Sequence, residues 1–405
     1  MDIRAVISMR KIVLPRIRGN PKTFVHWGAA VCIGVVAWHG IPALIALSAI
    51  IPPLIFSQRS RVEAFFVAFA YYAAANWPLI PGTLGYFGPS GTVFHALLLW
   101  AVPSVLLPLP WTICWTAVPS KAPWRLPLAY MLSIVPPIGI IGWASPLTTA
   151  GILFPGWAWI GLALVIVISA LVLYAPQEAA VTAAFLVLAA NLSYPGDPPP
   201  PKSWEGVCTS FEQISDPNNP AAEFQVAKCV QQKAEGSNRQ VIVFPESMVP
   251  HWTDATELMW KRTLDQARVS GKTLLIGVGV PIVGTSNSRN AVLVIRNGAP
   301  AAVLQRIPVP VIMWNPTNRT GQSASIRLFD SGIIDIDGER AALLVCYEQL
   351  LTWPILESAV DHPTLIVGLA NDNWARGTPI PAAQQAAVTA WARLFRLPKI
   401  MAANL

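Results

Sequence analysis

The pattern of hydrophobic and polar positions divides the chain into two halves with different periodicity. From residue 23 to residue 193 apolar residues dominate, in segments close to the roughly 20 residues that an α-helix needs to cross a bilayer. Seven such segments can be placed, at 23–39, 41–57, 63–80, 92–118, 124–143, 149–174 and 177–193. The pattern therefore predicts a multi-span α-helical membrane domain over residues 23–194.

The second half, residues 203–405, alternates short apolar runs with amphipathic stretches, after a proline-rich linker at 195–202. The runs typical of strands are 204–211, 241–244, 273–280, 291–296, 301–305, 333–336, 341–346 and 364–369. The stretches typical of helices are 220–235, 254–269, 349–359 and 382–395. Such alternation predicts an α/β sandwich in which strands lie between helical layers.

Composition and charge support a membrane protein and indicate its orientation. Charged residues make up 12% of the chain and mean hydropathy is +0.49, whereas an ordinary soluble domain carries about 25% charged residues. The net charge of +7 falls entirely within the first 195 residues, in the basic segment 1–22 and in short loops holding Arg59, Arg61 and Lys121. Basic residues mark cytoplasmic loops. We therefore expect a cytoplasmic N-terminus, a multi-pass location in a bacterial inner membrane, a periplasmic second domain, and no direct nucleic-acid binding.

Three strand ends in the second half carry polar residues that could do chemistry. Glu246 follows the run 241–244, Cys346 ends the run 341–346, and Asn371 follows the run 364–369. Taken singly, a strand cysteine is usually a small buried hydrophobe, and the carboxylate could begin a helix. Loops at strand ends are, however, where α/β folds build their sites.

These residues resemble the membrane-bound apolipoprotein N-acyltransferase branch of the nitrilase superfamily. The matching pieces are Phe-Pro-Glu at 244–246, Cys-Tyr-Glu at 346–348, Ala-Asn-Asp-Asn-Trp at 370–374, and the segment from Gln384-Gln385 to Asn404. The resemblance covers nearly the whole chain, since that family also places seven spans before a periplasmic nitrilase-like domain. Size and departures from the pattern point to the smaller TraB-like conjugal transfer relatives.

The resemblance implies a Glu–Lys–Cys triad and no cofactor or metal. Cys346 would be the nucleophile that forms a thioester, Glu246 the general base, and Glu348 a residue that orients the site. Gln305, Tyr347, Asn371 and Trp374 would line it. The implied partners are a phospholipid acyl donor, a lipoprotein or other amine as acceptor, and the membrane itself.

Three departures from the family pattern affect the expected reaction. Gln305 stands at the position of the family's lysine, next to Arg306, and Met313 replaces a loop glutamate. The chain also stops at Leu405, where the family continues. Arg306 is the candidate catalytic cation in place of the lysine, although adjacent strand residues point to opposite faces, so this role requires that the strand slip or bulge.

Three functions stay open on the sequence. The first is thioester-mediated acyl transfer from a lipid to an amine, which we favour. The second is hydrolysis of a small amide by the same residues. The third is a catalytically reduced membrane component of conjugal transfer. Cys208 and Cys229 in the second half could form a disulfide or remain two thiols.

Overall fold

The computed structural model describes residues 21–211, 220–282, 284, 288–296, 299–310, 313–314 and 326–405. The predicted basic segment 1–22 lies outside the described residues, apart from the backbone of its last two positions. The first described half is helical and the second is mixed α/β, as the hydrophobic pattern predicts.

The helical half contains ten α-helices among the described residues, several of them broken by proline. They are α1 Pro21–Ala37, α2 Ile51–Phe56, α3 Arg61–Ala75, α4 Leu79–Phe87, α5 Val93–Leu106, α6 Leu109–Cys114, α7 Ala122–Ile134, α8 Ala150–Leu153, α9 Ala158–Tyr174 and α10 Pro176–Ser193. Short 3₁₀ segments join several of them, among them Pro42–Ile50 and Pro146–Thr149. Proline removes a backbone donor and clashes with the preceding turn, which explains the breaks.

Only one helical stretch in the described part of the chain is long and apolar enough to cross a membrane. It runs from Val93 to Cys114, with a mean hydropathy of 1.8. Three shorter apolar helices have 10–17 residues, at Thr23–Ala37, Pro42–Phe56 and Ala158–Tyr174. The seven-span membrane domain therefore stays a prediction.

The second half forms two β-sheets. One has five strands in the order β1 to β5, at Trp204–Gly206, Val241–Val243, Thr273–Pro281, Ser288–Ile295 and Ala301–Leu304. The other has four strands in the order β6 to β9, at Ile333–Ile336, Glu339–Val345, Leu365–Asn371 and Lys399–Asn404. The helices are α11 Pro220–Gly236, α12 Asp254–Val269, α13 Thr352–Val360 and α14 Ile380–Phe395.

The two sheets pack face to face with helices outside them, which confirms the predicted αββα sandwich. Val243 and Val292 of the first sheet share one core with Leu343 and Val367 of the second. The outer face of the first sheet packs on α11 and α12 through residues such as Trp260. The outer face of the second packs on α14 and, beyond it, on the helical half. The sandwich is thus covered on both faces.

The helical half is held closely against α14. A Cβ added at Gly151 would lie 1.7 Å from the carbonyl oxygen of Ala390, and one at Gly40 would lie 2.3 Å from the Cβ of Ala382. A side chain at either glycine would push the two halves apart. This contact brings α4 and α5 over the ends of β7 and β8, where the predicted catalytic residues lie.

Candidate active site

Cys346 and Glu246 meet at one end of the sandwich. Cys346 follows the last residue of β7 directly, and Glu246 lies three residues after β2. Cys346 and Glu246 line the same cavity, and each is among the groups that shift the pKa of the other. Cys346 has φ of 52°, in the left-handed region, which costs a non-glycine residue free energy and commonly marks functional positions. The predicted nucleophile and base are therefore neighbours.

The Glu246 carboxylate is buried and accepts two hydrogen bonds from the protein. Asn290 Nδ2 donates to Oε1 at 2.5 Å, and the Asn371 backbone N–H donates to Oε2 at 2.9 Å. Burial disfavours the charged carboxylate and raises its pKa to about 7, against the lowering effect of these hydrogen bonds. A carboxyl group with that pKa can exchange protons at neutral pH, which suits a general base.

The Cys346 thiol lies in surroundings that favour its protonated form. Burial raises its pKa well above the usual range, and the nearby carboxylates of Glu246 and Asp372 raise it further. The backbone N–H of Tyr347 acts in the opposite direction. No cation is among the groups that shift this pKa. Attack by this sulfur therefore requires that Glu246 take the proton during the reaction.

Gln305, which the sequence resemblance aligns with the family's lysine, lies just behind the wall of the site. Its Nε2 donates to the carbonyl oxygens of Val345 and Ile307, each at 3.1 Å. Its Oε1 accepts a hydrogen bond of 3.2 Å from Asn290 Nδ2, the same group that donates to Glu246. A relay of two neutral amides therefore connects the strand end before Cys346 to the base.

Arg306 does not replace the missing lysine, so that expectation is wrong. Its guanidinium donates to the carbonyl oxygens of Asp330, Pro354 and Leu343 and to Ser358 Oγ. It is 1% exposed and is absent from the cavity lining. Both residues follow the end of β5, where Glu348 holds the backbone, so that the Gln305 amide turns toward Asn290 while the Arg306 side chain turns away from the cavity.

Glu348 holds the backbone of the site and does not line the cavity, an arrangement that agrees with the predicted role of orienting the site. Its Oε1 accepts from the N–H groups of Arg306 and Ile307 at 2.6 and 2.9 Å, and its Oε2 accepts from the Val345 N–H at 3.0 Å. The Arg306 Nε lies 3.7 Å from Oε1. Glu348 therefore ties the segment of Gln305 to the strand that carries Cys346.

A cavity of about 410 Å³ opens over the thiol, between the two halves of the chain. Three of the predicted lining residues, Tyr347, Asn371 and Trp374, line this cavity. Gln305 does not line it. Tyr347 Oη donates to the Ile140 carbonyl oxygen at 3.2 Å, and the Trp374 ring packs edge-on to Tyr86 of α4 at 6.0 Å. The helical half contributes mostly apolar side chains, including Leu79, Leu98, Leu99 and Val102.

The cavity also contains residues that the sequence reasoning missed. Asn290 and Ser288 lie on the same face of β4, and Gln384 of α14 donates from Nε2 to the Cys346 carbonyl oxygen at 3.0 Å. Ser288 Oγ lies 2.6 Å from His251 Nδ1. The Gln384-Gln385 pair is part of the resemblance to the family, so the sequence could have indicated Gln384 as a site residue. Nothing in the sequence marks Asn290, because it lies inside a strand far from any motif.

Comparisons with known proteins identify the family. No family model matches the chain. The probable conjugal transfer protein TraB of Sinorhizobium fredii is 33% identical over 383 residues, which is 93% of this chain and 96% of that protein. The chain belongs to the TraB family of conjugal transfer proteins. The conjugal transfer protein TraB of Agrobacterium fabrum is also 33% identical, over 93% of this chain and 91% of its own length.

Similar solved structures are carbon–nitrogen hydrolases. One from Helicobacter pylori is 10% identical, covering 48% of this chain and 72% of that one, with a TM-score of 0.36. A carbon–nitrogen hydrolase superfamily protein from Xanthomonas campestris is 17% identical, covering 49% and 73%, with a TM-score of 0.33. A nitrilase-superfamily amidase from Nesterenkonia is 13% identical, covering 41% and 63%, with a TM-score of 0.29.

Proposed function

We propose that this TraB family protein is a membrane-bound, nitrilase-type acyltransferase that moves an acyl group from a lipid to an amine through a thioester on Cys346. The observation that carries the proposal is that Cys346 and the buried Glu246 lie together in the lining of one mostly apolar cavity. Nucleophilic catalysis by cysteine requires a base within hydrogen-bond reach of the thiol.

The chemistry requires one base and two proton transfers at each step. In the first step, Cys346 Sγ attacks the ester carbonyl of the lipid while its proton moves to Glu246. The carbon–oxygen bond of the ester breaks, and the leaving alcohol takes the proton back from Glu246. In the second step an amine attacks the thioester, gives a proton to Glu246, and expels the sulfur, which regains that proton. The products are an amide and an alcohol.

A lipid donor requires that the cavity face a membrane. Most of the exposed large apolar side chains in the described part of the chain lie before residue 195. Only six such side chains lie after that residue. On α10, Val181, Phe185, Leu188 and Leu192 form one apolar stripe, each more than half exposed. Contiguous exposed apolar surface on this scale indicates a membrane or partner contact. This supports a membrane location for the helical half, and the proposed periplasmic side rests on the distribution of basic residues alone.

Mass spectrometry of Cys346 tests the proposed reaction directly. The purified protein is incubated with vesicles of phosphatidylethanolamine and phosphatidylglycerol, without an acceptor. We expect a mass increase of one fatty acyl group at Cys346, absent in Cys346→Ala and retained in Cys229→Ala. Hydroxylamine should remove the adduct, because thioesters are cleaved by it. No adduct in the wild-type protein would contradict the proposal.

The neutral Gln305 favours a second candidate. In this alternative the site binds a ligand without turning it over, and the protein serves conjugal transfer as a catalytically reduced membrane component. The missing charge beside Cys346 is the specific observation behind it, since loss of one transition-state donor commonly costs about 10²–10³ in rate. Ligand binding without an acyl adduct would support this candidate.

A further inference from the structure

The hydrogen bonds around the site fix the orientation of three side-chain amides. Gln305 Nε2 faces two carbonyl oxygens, so its Oε1 faces Asn290. Asn290 Nδ2 faces Gln305 Oε1 and Glu246, so its own Oδ1 is turned the other way. Gln384 Nε2 faces the Cys346 carbonyl oxygen. Flipping any of these amides would place two acceptors against each other.

This arrangement leaves acceptors without donors in the cavity wall. Gln384 is 3% exposed, lines the cavity, and its Oε1 has no hydrogen-bond partner in the described structure. Asn290 lines the same cavity, and its Oδ1 likewise has no partner there. A buried acceptor without a donor is costly, of the order of 1–3 kcal/mol. A ligand that donates N–H groups would remove that cost.

The cavity wall also carries negative charge that no side chain balances. Glu246 is in the lining, whereas no lysine, arginine or histidine is among the described lining residues. The titratable groups that face Glu246 are Tyr86 from α4, Cys346 and Glu348 after β7, and Asp372 after β8. None of them is a cation.

We infer that the cavity binds its acceptor as a protonated primary amine, whose ammonium group supplies a positive charge that the described lining residues lack beside Cys346. This rests on the proposed function for the role of the amine, but the binding itself does not require turnover. The ammonium has three N–H donors, and the cavity lining offers it the Glu246 carboxylate together with the amide side chain of Gln384, whose Oε1 has no partner in the described structure. The apolar remainder of the cavity and the aromatic rings of Trp143 and Trp374 suit an alkyl chain on the amine.

The test measures binding of n-hexylamine to the purified full-length protein by ligand-observed NMR, with n-hexanol and hexyltrimethylammonium as comparison ligands. The alcohol lacks the charge, and the quaternary ion lacks N–H donors. We expect the primary amine to bind at least about tenfold more tightly than either. Its affinity should fall about tenfold from pH 8 to pH 6, since protonation of Glu246 near pH 7 removes the anion while the amine stays protonated.

Variants locate the amine within the cavity. Gln305→Lys places a competing ammonium beside Glu246, and Gln384→Met removes one acceptor; each should weaken hexylamine about tenfold. The neighbouring Gln385 is exposed, so Gln385→Met is the matched control and should change nothing. Equal binding of amine and alcohol, or unchanged binding in Gln305→Lys, would overturn the inference. Amine binding without an acyl adduct on Cys346 would instead overturn the proposed reaction alone.

Discussion

Replacing Gln305 by lysine should turn Cys346 into a more reactive thiol. The two hydrogen bonds through Asn290, of 3.2 and 2.5 Å, place the amide of Gln305 within about 6 Å of the Glu246 carboxylate. At an effective dielectric constant of about 20, a unit charge at that distance contributes roughly 3 kcal/mol, or about two pKa units. Gln305 also donates to Val345, the residue before the nucleophile. The new charge should therefore stabilise the Cys346 thiolate by a similar amount.

The magnitude can be expressed as an alkylation rate. A fall of about two units in the pKa of Cys346 raises the thiolate fraction about 100-fold, while the lower basicity reduces the reactivity of each thiolate, with a Brønsted coefficient of about 0.4–0.5. The net expectation is about a tenfold faster reaction with iodoacetamide at pH 8. Peptide mass spectrometry over time measures this rate at Cys346 separately from the other four cysteines.

Two comparisons decide whether charge is the cause. Gln305→Met removes the same amide without adding a charge, so it should not accelerate alkylation. Gln385→Lys adds a charge at an exposed position of α14 and should also have no effect. Equal rates in the wild-type protein and Gln305→Lys would refute the assignment of Gln305 to the position that a catalytic lysine would occupy.

The remaining predictions concern the base Glu246, the buried carboxylate of Glu348 and the membrane topology. Formation of the Cys346 adduct should rise about tenfold between pH 6 and pH 8, since only the ionised form of Glu246 takes a proton and its raised pKa is about 7; a flat profile would show that another group is the base. Glu348→Gln should lower the free energy of unfolding by about 2–4 kcal/mol, because it leaves a backbone donor and the buried Arg306 without their anion. Thermal unfolding measures this loss of stability, with the exposed variant Glu257→Gln as the control. Equal melting temperatures for Glu348→Gln and the control would contradict the stabilising role of Glu348. Alkaline phosphatase fused after residue 300 should be active and a fusion after Lys121 inactive; the reverse would refute the predicted orientation.

The elements that the sequence predicted best are those with local signals. The predicted helix 254–269 agrees with Asp254–Val269, because Thr253 caps its first turn through a hydrogen bond to Thr256 and its apolar residues recur at helical spacing. The predicted strand 204–211 is shorter in the structure and ends at Gly206. A Cβ there would lie 2.2 Å from the carbonyl oxygen of Met401, a contact that depends on residues far along the chain.

The last strand was not predicted, for a related reason. Lys399–Asn404 is alanine-rich and has no alternation of its own, yet it pairs in parallel with β8 over its whole length. This pairing brings Asn404 beside Asn371, whose side-chain oxygen accepts from Asn404 Nδ2 at 3.0 Å. The resemblance includes Asn404 in a motif, but only the tertiary structure gives a reason for its presence there. Asn404 supports Asn371, whose backbone N–H donates to Glu246.

Gln305 and Arg306 show why the site could be predicted only in part. The sequence identifies a polar residue and a basic residue side by side, and in the structure only Gln305 turns toward the site, where it contacts Asn290 behind the cavity wall. Which one does so is decided by Glu348, whose carboxylate binds the backbone N–H groups of Arg306 and Ile307 and so fixes the register of this segment. With that register, the guanidinium is buried among four oxygen acceptors on the opposite side. Moving it to the cavity would break all of these contacts in a buried environment, at a cost of several kcal/mol. The Arg306 guanidinium is therefore held away from the cavity by its own buried contacts, and within the described residues it does not take over the role of the lysine.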